Sequence, residues 1–199
     1  MVADRPELLL PDVSAWAKWL QGHLDLQEGV WLVLAKKGVK TPTSLTYDEA
    51  LGEALCQGWI DGQKGSRDGD MYLQRFTPRR PRSPWSQRNV RLAGELISEG
   101  RMQPAGLAEI ERARADGRWD AAYAGQAAME VPPDLAEALR ENDRAAAMFE
   151  ILTSVNRYAI CYRITSAKRP ETRARRVADF VDQLARGQTP HPQKRTLPD

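Results

Sequence analysis

Val13, Trp16, Trp19 and Leu20 recur at helical spacing behind Pro11 and Asp12, which predicts a first helix with its start signal in place. After Gly29 the pattern changes to a compact apolar run, "GVWLVLAKK", closed by two lysines, and this reads as a strand. The tract "GVKTPTS" is loop. In "SLTYDEALGEALCQG" the spacing is helical again, with Thr46 as N-cap, Glu49 three residues on and Gly58 as terminator. Residues 59–63 and 71–76 read as two short strands around a polar, glycine-containing turn at 64–70.

From Ser83 onward only helical periodicity is left. "SPWSQRNVRLAGELISEG" has a serine cap, Pro84 at the first helical position and Gly100 as terminator. A second helix runs toward Gly117, "PPDLAEALREN" gives a short third, and one or two helices cover "NDRAAAMFEILTSVNRYAICYRITSA". The last helix carries Ala174, Val177, Phe180, Val181 and Leu184 as one apolar stripe. The predicted fold is therefore α+β. A small N-terminal α/β unit (residues 1–82) with a three- or four-stranded sheet packs on a mainly helical unit (83–187), and a flexible polar tail (188–199) follows.

Composition changes this picture little. The chain has 199 residues, 42% hydrophobic and 28% charged, as ordinary globular proteins do. Six tryptophans favour a well-packed core or an aromatic-lined groove. The start, "MVADRPELLLPDVSAW", does not read as a signal peptide, because its apolar run is short and closed by Pro11. No stretch approaches a membrane span, and a cytoplasmic protein without membrane insertion is the expectation. Cys56 and Cys161 each sit in an apolar segment and read as buried free thiols.

Charge is informative in its placement. The formal net charge is only +2, but residues 75–91 hold six arginines and no carboxylate. Residues 163–176 hold six basic residues against Glu171. In the first run Arg75, Arg79, Arg80 and Arg82 flank prolines, which keep the backbone extended. Ser83, Ser86 and the amides of the following helix start add donors suited to an anion. Tyr72, Phe76, Trp59 and Trp85 interleave with the run, as stacking platforms for nucleic acid would and as a half-buried strand also would. The bland reading pairs these arginines with Asp61, Glu53 and helix carboxylates. In the second run Arg169, Arg173 and Arg176 share a helix face opposite the apolar stripe, which a solvated face explains equally well.

Asp61, between Ile60 and Gly62 at a strand end, is the one carboxylate placed for chemistry, yet no partner is set by spacing. It reads as a structural or pairing residue, a ligand contact or a catalytic group. The two histidines lack a convincing context, no cysteine pair has ligand spacing, and "GWIDGQKG" is no phosphate loop, so no cofactor and no metal are expected.

Six runs together resemble the YdeI/OmpD-associated family of bacteriocin-protection proteins. They are "GVWLVLAKK", "SLTYDEALGEALCQGWIDGQ", "YLQRFTPRRPRSPWSQRN", "LISEGRMQPAGLAEIERARADGRWDAAY", "VPPDLAEAL" and "RYAICYRITSAKRPETRARRV". The resemblance implies a role in tolerance of cationic antimicrobial peptides and an association with an outer-membrane porin, and it brings no established reaction. It marks Trp59, Asp61 and Gly62 as family-typical, with Arg75, Pro78, Arg79, Arg80, Ser83, Trp85, Ser86 and Asn89 in a second motif. Lys168, Arg169, Thr172, Arg173 and Arg176 form a third. Some members are described as periplasmic, a description this chain departs from in showing no export signal.

Three functions follow as expectations. One is a stress-tolerance protein that binds an anionic small molecule or an acidic protein surface through the arginine-rich junction. The second is a nucleic-acid-binding protein. The third is an enzyme centred on Asp61.

Overall fold

The computed structural model describes residues 7–125 and 129–197. Met1–Pro6, on which part of the export reading rests, and the last two residues of the tail lie outside them. Along the first unit run β1 (Glu7–Leu8), α1 (Val13–Gln21), β2 (Val30–Ala35), α2 (Tyr47–Cys56), β3 (Trp59–Ser66), β4 (Met71–Pro78), α3 (Gln87–Ser98) and α4 (Pro104–Ala115). The second holds α5 (Pro133–Arg140), α6 (Asp143–Glu150), α7 (Ser154–Thr165) and α8 (Pro170–Ala185). The architecture is α+β, with the whole four-stranded sheet in the N-terminal part.

The sheet has the order β1-β2-β4-β3; β1 lies parallel to β2, and the other pairs are antiparallel. β2 is apolar without alternation because both of its faces are covered. Leu32 and Leu34 join Phe76, Trp59, Trp16, Leu20, Leu51 and Leu55 in the main core. Trp31 and Val33 pack with Met71 and Leu73 in a second, smaller cluster. Pairing between β3 and β4 shifts register between Asp61 and Lys64, a bulge whose Gly62 and Gln63 carbonyls accept from the buried Gln74 amide at 2.9 and 3.3 Å.

Local signals act as expected at several ends. Asp12 caps α1 through the Ala15 amide. Thr46 and Glu49 form a reciprocal capping box on α2, worth roughly 1 kcal/mol. At the start of α3 the reading differs: Ser86, not Ser83, is the N-cap, accepting from the Asn89 amide at 3.2 Å. Ser83 instead closes a turn, its Oγ accepting from the Arg80 amide and its own amide bonding the Arg80 carbonyl.

The contacts divide the chain after Tyr123. A boundary at residue 82 does not describe them, because α3 and α4 bring Ala93, Leu96, Ile110 and Ala113 into the core built on the sheet. Two glycines make that packing close. Gly58 has φ +75°, and a Cβ there would lie 3.0 Å from the Ala105 carbonyl oxygen and 3.1 Å from Glu109 Cγ. A Cβ on Gly106 would lie 2.3 Å from the Cys56 carbonyl oxygen, so α4 passes directly over the end of α2.

In the second unit Leu135, Phe149, Ile160, Phe180 and Leu184 centre a helical core. Ala174, read as part of the α8 stripe, is exposed. The segment read as a loose tail is fastened to α7: buried Asn156 donates to His191 O at 3.0 Å and Gln193 Oε1 at 2.9 Å, and accepts from the His191 amide at 2.8 Å. Cys56 and Cys161 are free and buried, and burial pushes the Cys56 thiol up to about 11. Among the described residues no helix is long and apolar enough to cross a membrane.

Candidate functional site

The end of β4 delivers Arg79 to the inside of the first unit. Its amide donates to Gly58 O at 3.0 Å, which ties the residue to the glycine that α4 packs against. The side chain is only 6% exposed and lies 3.5 Å from the ring centre of Trp85. Nη1 donates to the Pro84 carbonyl at 3.2 Å, while Nε and Nη2 are buried with no hydrogen-bond partner. Among the described residues no carboxylate lies within ion-pair distance of it. Burial lowers the Arg79 guanidinium to about 10, opposed by Glu109 and Asp61 nearby, so it stays charged at neutral pH.

Arg118, from the turn after α4, comes to the same loop. Its Nη1 donates to the Ser83 carbonyl at 2.7 Å and its Nε to Asp116 at 2.8 Å; Nη2 is buried without a partner. Two guanidiniums thus hold adjacent carbonyls, those of Ser83 and Pro84. Trp85 Nε1, in a ring 2% exposed, is likewise unpartnered, whereas the buried Trp16 Nε1 donates to Ala50 O at 3.0 Å. Trp119 closes over Trp85 at 4.9 Å. Glu109 gives one oxygen to Arg112 at 2.7 Å and keeps Oε2 buried and unpartnered. Arg79, Trp85 and Arg118 thus bring buried donors with unmet hydrogen-bonding capacity to residues 79–85, which suits an oxoanion, while the unmet oxygen of Glu109 opposes one.

Asp61 faces α2, not the arginines. Its Oδ2 accepts from the Tyr47 hydroxyl at 2.8 Å, and the same hydroxyl accepts from Arg88 at 3.4 Å. Burial, with Asp61 second, raises the Tyr47 phenol, which stays a neutral donor. The expected Asp61–arginine pair is absent among the described ion pairs. Glu53 pairs with Arg101 at 2.6 Å, and Arg88 with Asp48 at 2.6 Å. Arg75 donates to the Glu28 carbonyl and lies over Trp31. Arg80 and Arg82 are exposed and make no ion pair among the described residues.

Other predicted site residues are already occupied. Trp59 and Phe76 are buried against Trp16, so neither has a face open for stacking. At the start of α3 the Gln87 amide donates to Tyr123 O, the Asn89 amide to Ser86 and the Val90 amide to Ser86 O, which leaves little for an anion. In the second unit Arg173 makes two hydrogen bonds to Asp134, at 2.6 and 2.8 Å, and Arg176 bonds the Arg163 carbonyl. Lys168 and Arg169 are exposed. Sequence reasoning missed Arg118, Glu109 and Tyr47. Each meets the junction only through tertiary folding, and no local signal marks them.

A family model described as "Domain of unknown function (DUF8412)" matches residues 8–109, and one described as "Bacteriocin-protection, YdeI or OmpD-Associated" matches residues 128–187. The runs from Val30 to Asn89 fall under the first match, and those beginning at Val131 and Arg157 under the second. No curated protein and no solved structure matches the chain.

Proposed function

The chain belongs to the DUF8412 family through residues 8–109, and because residues 128–187 match the YdeI/OmpD-associated, bacteriocin-protection model, we propose that it is a protection-type protein that works by binding a small oxoanion, carboxylate or phosphate, at the Arg79–Arg118 junction. One observation carries this reading: the buried guanidinium of Arg79 keeps two unpartnered N–H groups beside a second arginine and an unpartnered indole. A buried cation with no carboxylate at contact distance is destabilising by itself, and an anion held there would offset that.

Catalysis is less well supported. Asp61 is held by a phenol that stays protonated, so no second titrating group is poised against it near neutral pH. At the junction nucleic acid is favoured by Arg80 and Arg82, exposed and without an ion pair among the described residues, but Trp59, Phe76 and Trp85 offer no open aromatic face.

The test follows the indole N–H resonance of Trp85 during titration of the whole protein with inorganic phosphate or acetate at low salt. Saturable shifts are expected from one of the two, lost in Arg79→Met and Arg118→Met variants that remain folded. If neither anion moves the Trp85 resonance, the reading fails.

A further inference from the structure

The hairpin end of the sheet carries a second feature, seven residues along β4 from the junction and so roughly 25 Å away at the usual strand rise. Here the end of β2, the end of β3 and the start of β4 border an open groove of about 680 Å³. Its lining holds Lys36, Lys37, Lys64 and Arg67 against a single carboxylate, Asp68, with Ala35 and Met71 from one face of the sheet and the Tyr72 ring from the other.

That carboxylate is fully used. Asp68 Oδ1 accepts from the Asp70 and Met71 amides at 2.9 and 2.7 Å, closing the turn, and Oδ2 takes Arg67 at 2.7 Å. Arg67 is also paired with Glu7 at 2.8 Å, so its charge is balanced. The three lysines are not. Lys36 Nζ is held by the Asp68 and Gly69 carbonyls at 2.8 and 3.0 Å, which aims the ammonium without neutralising it. Lys64 Nζ lies 4.2 Å from the centre of the Tyr72 ring. Lys37 is exposed and makes no ion pair among the described residues. Lys36 and Lys64, both positioned, and Lys37, which has no ion pair among the described residues, thus line one groove of ligand size.

We propose that this groove binds a phosphate-bearing ligand of nucleotide size, with the phosphates on Lys36, Lys37 and Lys64 and the apolar part against the Tyr72 ring beside Lys64. The chemistry is that of point charges gathering phosphate oxygens, for which lysine on a short, held stem is suited. It is independent of the Arg79 site, since no residue is shared.

Calorimetric titration of the full chain at low salt decides it, with ATP, inorganic tripolyphosphate and adenosine as separate probes and no divalent cation. ATP is expected to bind saturably. Weaker binding by tripolyphosphate and none by adenosine in the same range assigns the main contribution to the phosphates; equal binding by ATP and tripolyphosphate would overturn the role of the Tyr72 ring. Lys37→Glu with Lys64→Glu should weaken ATP by more than about tenfold, while the same charge reversal at the exposed Lys18, outside the groove lining, leaves it unchanged. Lys37→Gln with Lys64→Gln, both exposed positions with little effect on folding, provides the milder second variant. No saturable binding of ATP, or ATP binding kept by the reversed-charge variant, overturns the proposal. So does its loss in Arg79→Met, which would assign the nucleotide to the other site.

Discussion

Arg79 in the first unit and Arg173 in the second come from basic runs that look alike in sequence, yet the fold treats them oppositely. Arg173 reaches across from α8 to Asp134 of α5 and makes two charge-assisted hydrogen bonds, so its run joins two helices. Arg79 is buried, rests on an indole and has no carboxylate at contact distance among the described residues. A paired arginine at a partly exposed position is explained by structure alone. A desolvated arginine with unmet N–H groups is not, and that asymmetry directs attention to the first unit for binding.

The comparison can be broken in four ways. All six tryptophans lie at or before Trp119, so indole fluorescence reports the first unit and far-ultraviolet circular dichroism reports both. The largest effect is expected for Trp85→Ala, which removes a buried ring and the surface under Arg79; urea unfolding followed by fluorescence should show a loss of about 3–5 kcal/mol. Arg79→Met should then leave the first unit as stable or raise its stability by about 1–4 kcal/mol, as when a buried charge is exchanged for an apolar side chain of similar volume. A clear loss of stability instead would make Arg79 structural and erase the contrast with Arg173. Arg173→Met, by comparison, should cost at most about 1 kcal/mol, because both members of its pair are about a third exposed, and a double-mutant cycle with Asp134→Asn would measure the coupling.

The smallest effect is a pH dependence. The hydrogen bonds from Arg173 hold the Asp134 carboxyl below its usual range. A carboxylate lowered in the folded state contributes stability that is present above its unfolded pKa and lost as pH falls through the folded one. Circular dichroism melts below about pH 4 should therefore fall less steeply in Asp134→Asn than in the parent. Equal slopes would mean that the pair contributes nothing in solution.

Much of the fold was legible where local chemistry decides it. The box of Thr46 and Glu49, the unbroken apolar run of β2 and the glycine at the end of α2 are consequences of neighbours in sequence. The extent of the first unit was not legible, since α3 and α4 read as amphipathic helices whichever core receives their apolar faces. The site divides along the same line. Residues 79–85 were marked by composition, but arginine is ordinarily exposed, and nothing local says that Arg79 turns inward. Arg118 reaches Ser83 across 35 positions and Tyr47 reaches Asp61 across 14, so those partners exist only once the chain has folded. Ser83 and Ser86 show a finer limit: both suit a cap, and Tyr123, bonded to Trp85 O and to the Gln87 amide, settles where α3 begins.

Gly106 adjusts the junction without touching it. It lets α4 lie against the last carbonyls of α2, and the next turn of the same helix carries Glu109 to Gly58, whose carbonyl holds Arg79. One methyl group at that contact would lift the helix, and Glu109 would ride with it while Arg79 stayed on the sheet. The spacing between the Arg79 cation and the Glu109 carboxylate is thus set by a shim one hydrogen atom thick.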